Sequence, residues 1–169
     1  MMKKLFIFVW SVLSVILMLS CSGNDIKKYN SVKEMTDDAK ATVEFISAKD
    51  LKTVLESGDK FYLIDCRESD EFDSMCIQGA VNIPRGVLES EITEKAMNRK
   101  TTLYIYCSNG DRSALAANIL PKLKYSNVKV LEAGFDNWKA KYPKLLELSP
   151  VRGDVKTKAT AKPSGGCGG

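Results

Sequence analysis

From Val43 onward, short apolar runs alternate with amphipathic stretches, the pattern of strands joined by helices. Val43–Ile46 reads as a strand. Ser47, with Asp50 three positions on, marks the N-cap of a helix that places Leu51, Val54 and Leu55 on one face and stops at Gly58. Phe61–Asp65 is a buried-type strand, followed by a polar turn or helix over Ser69–Ser74 and a short strand over Ala80–Ile83 that ends at Pro84. A helix is expected around Leu88–Met97. Thr101–Tyr106 is the most strand-like run and ends at Cys107. A helix from about Arg112 carries Leu115, Ile119 and Leu123 at helical spacing, with Pro121 kinking or shortening it. A strand at Val128–Leu131 and the segment Phe135–Tyr142 around Trp138 complete an α/β domain with a mostly parallel sheet flanked by helices.

Different rules govern the two ends. Lys3 and Lys4 precede Leu5–Leu19, an apolar run of 15 residues, which suits a secretory h-region and is short for a membrane span. Met18-Leu19-Ser20-Cys21 resembles a loose bacterial lipobox, although a stricter one would carry Leu at position 18. That resemblance implies a signal peptide over residues 1–20, lipid on Cys21 and a protein tethered to the membrane in the bacterial cell envelope. The alternative is an uncleaved signal anchor ending near Asn24. Residues 21–40 read as the lipidated N-terminus and a polar spacer, part of it a short helix. The domain is expected over residues 41–148 and a flexible tail over 149–169, with no room for a second domain in a chain of 169 residues.

The formal charge of +4 sits in the terminal segments, which leaves about −1 between Cys21 and Leu148 and gives no reason to expect a nucleic-acid surface. The chain has no histidine, which excludes Ser-His-Asp and Cys-His mechanisms and His-ligated zinc. Its five cysteines form no C-x-x-C pair, so neither a zinc ribbon nor a thioredoxin motif is indicated. Cys66 reads as packing, with redox pairing as the lesser alternative, and Cys76 has no assigned role. Cys167 stands among glycines near the end of the tail. It is either an incidental thiol, in a disordered end or a tag remnant, or a mobile accessory thiol able to visit Cys107.

The chemistry concentrates in Cys107-Ser108-Asn109-Gly110-Asp111-Arg112-Ser113, where a cysteine ends a strand just before a helix. Ligands of open α/β sheets bind at strand carboxyl ends. A tight loop with a glycine can turn N–H groups inward, and the helix N-terminus adds positive potential, so this loop suits an anion and favours the Cys107 thiolate. Arg112 would add to this if its side chain folded inward. Such a nucleophile needs no general base. The plainer reading of Cys107 is a buried structural cysteine.

These residues resemble a single-domain rhodanese, a sulfurtransferase. The resemblance rests on Leu63–Phe72, on Ile77–Pro84, on the Cys107–Ser113 loop, and on Ala133-Gly134-Phe135 followed by Trp138. It implies a rhodanese-like fold with a five-stranded sheet and a Cys107 persulfide cradled by the backbone N–H groups of Ser108, Asn109, Gly110, Asp111 and Arg112. It also implies a structural ion-pair network of Asp65, Arg67 and Glu71 beneath the site. No metal or organic cofactor is implied. The partners would be a small sulfur donor and a thiol or cyanide-like acceptor, which a protein thiol could supply. Four residues separate Cys107 from Arg112, as in the sulfurtransferases, whereas related phosphatases and arsenate reductases carry one more. Cys66, Met75-Cys76, Gln78 and Ala133 depart from the usual family residues. Asp111 puts a negative charge on the rim, which disfavours a dianion such as thiosulfate. A non-catalytic interaction or persulfide-carrier module is the other reading of the same residues.

Overall fold

The computed structural model describes residues 26–148. The expected signal peptide, Cys21, the tail and Cys167 lie outside the described residues. The chain divides into one unit ending at Asn30 and another beginning at Ser31, and the architecture below is that of the second.

Helix α1 (Val32–Thr42) starts at Ser31, whose hydroxyl accepts a hydrogen bond from the Glu34 N–H at 3.1 Å. Thr36 and Ala39 are buried. The helix packs against α5 (Asp111–Ile119), and Asn118 on α5 donates to the Thr42 hydroxyl at 3.2 Å. Residues 31–40 are therefore part of the folded body and not spacer. The weak apolar periodicity that suggested a spacer arises because small side chains, Thr36 and Ala39, make the buried stripe.

The main sheet has five parallel strands: β1 (Glu44–Ile46), β2 (Phe61–Asp65), β4 (Val81–Asn82), β5 (Thr102–Tyr106) and β6 (Val128–Leu131), in the order β1-β6-β5-β2-β4. Between them run α2 (Ala48–Ser57), α3 (Ser69–Ser74), α4 (Leu88–Lys95), α5 and, after β6, α6 (Gly134–Lys141). A small antiparallel pair, β3 (Cys76–Ile77) with β7 (Leu146–Glu147), has no signal in the sequence pattern, since two-residue strands carry no periodicity. Each face of the sheet has its own apolar core. Ile64, Cys66, Ile105 and Cys107 share one, while Leu63, Tyr104, Tyr106 and Trp138 share the other, as alternation along β2 and β5 requires. Among the described residues no helix is long and apolar enough to cross a membrane.

Candidate active site

Cys107 directly follows β5, the middle strand of the sheet, and α5 begins at Asp111, so the turn between them is short. Gly110 closes it with φ +99°, a left-handed conformation that glycine adopts without steric cost. This turns the Gly110 N–H onto Cys107 Sγ at 3.2 Å. The next amide is committed elsewhere: the Asp111 N–H donates to Asn109 Oδ1 at 3.1 Å, and Asn109 Nδ2 donates to Asp111 Oδ2 at 2.9 Å. Asn109 thereby lies across the loop, with its Oδ1 3.8 Å from Sγ. Asp111 also pairs with Lys40 of α1 at 2.5 Å. Its carboxylate is neutralised at the rim and does not stand as the free negative charge expected there.

Ser113, which the sequence reading did not assign, supplies the second donor at the sulfur. Its hydroxyl lies 3.5 Å from Sγ and 3.1 Å from the Gly110 carbonyl, so its one proton serves either acceptor. The signal available in the sequence was only its place in the first turn of the helix after the loop.

Helix α6 holds the loop from behind. The Phe135 N–H donates to the Cys107 carbonyl at 2.8 Å and the Asp136 N–H to the Ser108 carbonyl at 3.1 Å. The close approach requires Gly134: its φ is +63°, and a Cβ there would lie 2.5 Å from both carbonyl oxygens. With those carbonyls drawn towards α6, the loop's carbonyl edge is turned off the sulfur.

Cys107 is buried, yet its thiol is pulled down to about 5. The largest cause is the Cys66 thiol; burial opposes it, and the Ser113 hydroxyl, the Ser113 N–H and the Gly110 N–H add to it. Cys66 is pushed well above the usual thiol range by the same neighbour, and by burial. Cys66 is fully buried in the apolar core that it shares with Cys107, as its reading as packing expects.

Arg112 does not fold onto the sulfur. Its Nη1 donates to Glu71 Oε2 at 2.7 Å, and its Nη2 donates to Glu71 Oε1 and to Ser108 Oγ, each at 2.9 Å. The Ser108 hydroxyl donates in turn to Glu71 Oε1 at 2.9 Å. This guanidinium holds the Glu71 carboxyl down at about 2. The expected single network of Asp65, Arg67 and Glu71 is therefore two separate pairs. Asp65 and Arg67 are both buried and joined at 2.6 Å, with Arg67 donating onward to the Met75 carbonyl at 2.7 Å and stacking 3.9 Å from the Phe135 ring centroid. Glu71 belongs instead to the first turn of α3, where it accepts from the Glu68 N–H at 3.0 Å, and that helix start carries it to the loop. A groove of about 310 Å³ among Thr42, Val43, Asn118, Pro121 and Tyr125 contains none of the loop residues.

The rhodanese-like domain family model matches residues 47–141, more than half of the chain. The chain belongs to the rhodanese-like family. The α/β fold, with its five-stranded parallel sheet, is the one the resemblance implied. This rhodanese chain is 29% identical over 108 residues to the putative sulfur carrier protein YrkF of Bacillus subtilis, an alignment covering 64% of this chain and 57% of that protein. It is 30% identical over 66 residues to the thiosulfate sulfurtransferase PspE of Escherichia coli, covering 39% and 64%. Over 93 residues it is 33% identical to the probable adenylyltransferase/sulfurtransferase MoeZ of Mycobacterium tuberculosis, covering 55% of this chain and 24% of that protein. The alignments thus span from about a quarter to somewhat under two thirds of these relatives. A solved thiosulfate sulfurtransferase from Pseudomonas aeruginosa superposes with a TM-score of 0.55 at 28% identity, covering 59% of this chain and 19% of that one. A Rhodopseudomonas palustris protein of unknown function, described as a possible tyrosine phosphatase, superposes at 0.60 with 26% identity, covering 70% and 96%.

Proposed function

We propose that this protein is a rhodanese-type sulfurtransferase working by ping-pong through Cys107. The observation that carries the reading is a buried cysteine directly after the central strand, with the Gly110 N–H and the Ser113 hydroxyl aimed at its sulfur so that they favour the thiolate. The thiolate attacks the outer sulfur of thiosulfate, the S–S bond of the donor breaks, and sulfite leaves with its electron pair. Cys107 then carries a persulfide, and an acceptor such as cyanide or a thiol attacks the outer sulfur and returns Cys107 as thiolate. No proton has to be removed from the nucleophile, which fits a site built without histidine.

Incubation of the protein with thiosulfate and cyanide is expected to yield thiocyanate, and Cys107→Ser is expected to abolish it. Hydrolysis of an aryl phosphate or reduction of arsenate without thiocyanate would overturn the reading. The likeness to a putative sulfur carrier protein favours one further possibility, a persulfide carrier. That reading predicts stoichiometric loading of Cys107 without turnover.

The lipobox-like Met18–Cys21 supports a membrane-tethered protein of the bacterial cell envelope. Intact mass of the protein from its own cells would carry lipid on Cys21, and Cys21→Ala would no longer label with palmitate. A full-length protein that stays membrane-bound without label identifies a signal anchor instead. Sulfur mapped to Cys167 after thiosulfate loading would assign the tail a role as acceptor, and sulfur confined to Cys107 would leave the tail incidental.

A further inference from the structure

The sulfur chemistry proposed above uses one thiol, yet the structure buries a second beside it. The parallel register between β2 and β5 pairs Ile64 with Ile105 and Asp65 with Tyr106. The ladder runs one step further, because the Cys66 N–H donates to the Tyr106 carbonyl at 2.8 Å. That places Cys66 beside Cys107 across adjacent strands. Both side chains belong to the same apolar core, so both point to the same face of the sheet, and neither is solvent-exposed. Neighbouring strands lie roughly 4.7–4.9 Å apart, inside the range of about 4.4–6.8 Å between Cα atoms joined by a disulfide. The sheet register itself thus sets Cys66 beside Cys107.

We propose that Cys66 is a second catalytic thiol, which discharges the Cys107 persulfide as hydrosulfide when no outside acceptor arrives. The inference rests on the Cys107 persulfide of the preceding section. Cys66 attacks Cys107 Sγ, a Cys66–Cys107 bond forms, the bond between Sγ and the outer sulfur breaks, and the outer sulfur leaves with the electron pair. The Cys66 proton goes to the leaving sulfur, so a thiol and a persulfide anion become a disulfide and HS⁻. The sulfane sulfur is reduced by two electrons and the two cysteine sulfurs supply them, so no external oxidant takes part. Because Cys107 and burial keep Cys66 protonated, its proton has to pass to the leaving sulfur as the new S–S bond forms, which makes this discharge slow beside transfer to an outside acceptor. A dithiol outside the protein would reopen the disulfide and restore the nucleophile. The outcome is a sulfane reductase half-reaction added to a transferase.

The test loads the full chain with thiosulfate under nitrogen, without cyanide or thiol, at about pH 8.5, where even a thiol of ordinary pKa is about half ionised and can load. Wild type is expected to release one equivalent of sulfite, then one of hydrosulfide, at a rate independent of protein concentration. Peptide mass after alkylation is expected to show a Cys66–Cys107 disulfide that dithiothreitol removes. Cys66→Val and Cys66→Ser are expected to release sulfite and accumulate persulfide without hydrosulfide; two variants guard against one that fails to fold. A wild-type persulfide that persists with both thiols free overturns the inference and leaves the proposed function standing. Hydrosulfide accompanied by a disulfide to any cysteine other than Cys66 overturns it as well. If wild type releases no sulfite and gains no sulfur, the proposed function fails and the inference falls with it.

Discussion

Both oxygens of Glu71 accept from the Arg112 guanidinium, at 2.7 and 2.9 Å, and this pair joins the start of α3 to the far end of the cysteine loop. The folded Glu71 carboxyl sits near 2 against an ordinary value of 4.5. Its contribution to stability is therefore complete above about pH 4.5 and lost as the pH falls toward 2. Glu71→Gln is expected to lower the urea midpoint at pH 6, and the gap from wild type is expected to close near pH 2. A gap that does not change with pH would mean that the carboxylate charge is not what stabilises.

Arg112 acts on the loop and only at a distance on the sulfur. In Arg112→Ala the pH at which iodoacetamide trapping of Cys107 half-saturates is expected to move by less than about one unit, because the groups that bond the sulfur remain. Stability is expected to fall by about 1 kcal/mol, the upper range for a partly exposed pair.

Cys107 alkylation is expected to rise with pH through an inflection near 5 and to be flat from about pH 6.5 upward, since the thiolate is the reactive form. Ser113→Ala removes one donor to that thiolate and is expected to shift the inflection upward. An inflection near the ordinary thiol value of 9.0 in wild type would contradict the geometry of the loop.

Gly134→Ala puts a methyl group 2.5 Å from two carbonyl oxygens in a left-handed residue. Backbone has to move, so a loss of at least about 2 kcal/mol is expected in urea unfolding. The Cys107 inflection is expected to move with it, because the same carbonyls set the loop.

Ala133 holds φ +55°. Relief of about 1–2 kcal/mol of left-handed strain exceeds the roughly 0.4–1 kcal/mol lost to a freer unfolded chain. Ala133→Gly is therefore expected to stabilise by about 0.5–1 kcal/mol, measured as a higher melting temperature.

The pattern of apolar positions was enough to place the strand that carries Asp65 and the one that ends just before Cys107, because alternation and helix spacing are local properties. What it could not supply was register between distant segments. Cys66 reads as packing, with redox pairing as the lesser alternative, and only the register of β2 with β5 sets it beside Cys107. Asp65, Arg67 and Glu71 stand close in sequence and looked like one network, yet a strand end and a helix start send them to different partners. Ser113 and Gly134 were visible in the motifs, but their work is done on carbonyls and a sulfur that the sequence does not place near them.

Lys40 reaches from the last turn of α1 to Asp111 on the loop rim, although the family match begins only at residue 47. A fragment trimmed to the family boundary would lose that helix. Its absence would uncover the face of α5 that α1 covers and leave the Asp111 carboxylate without its counter-ion beside the mouth of an anion site. Such a truncated protein is expected to hold more uncompensated negative charge near Cys107 than the whole chain does. The charge on the loop rim is thus set partly by a segment that lies ahead of the recognised domain.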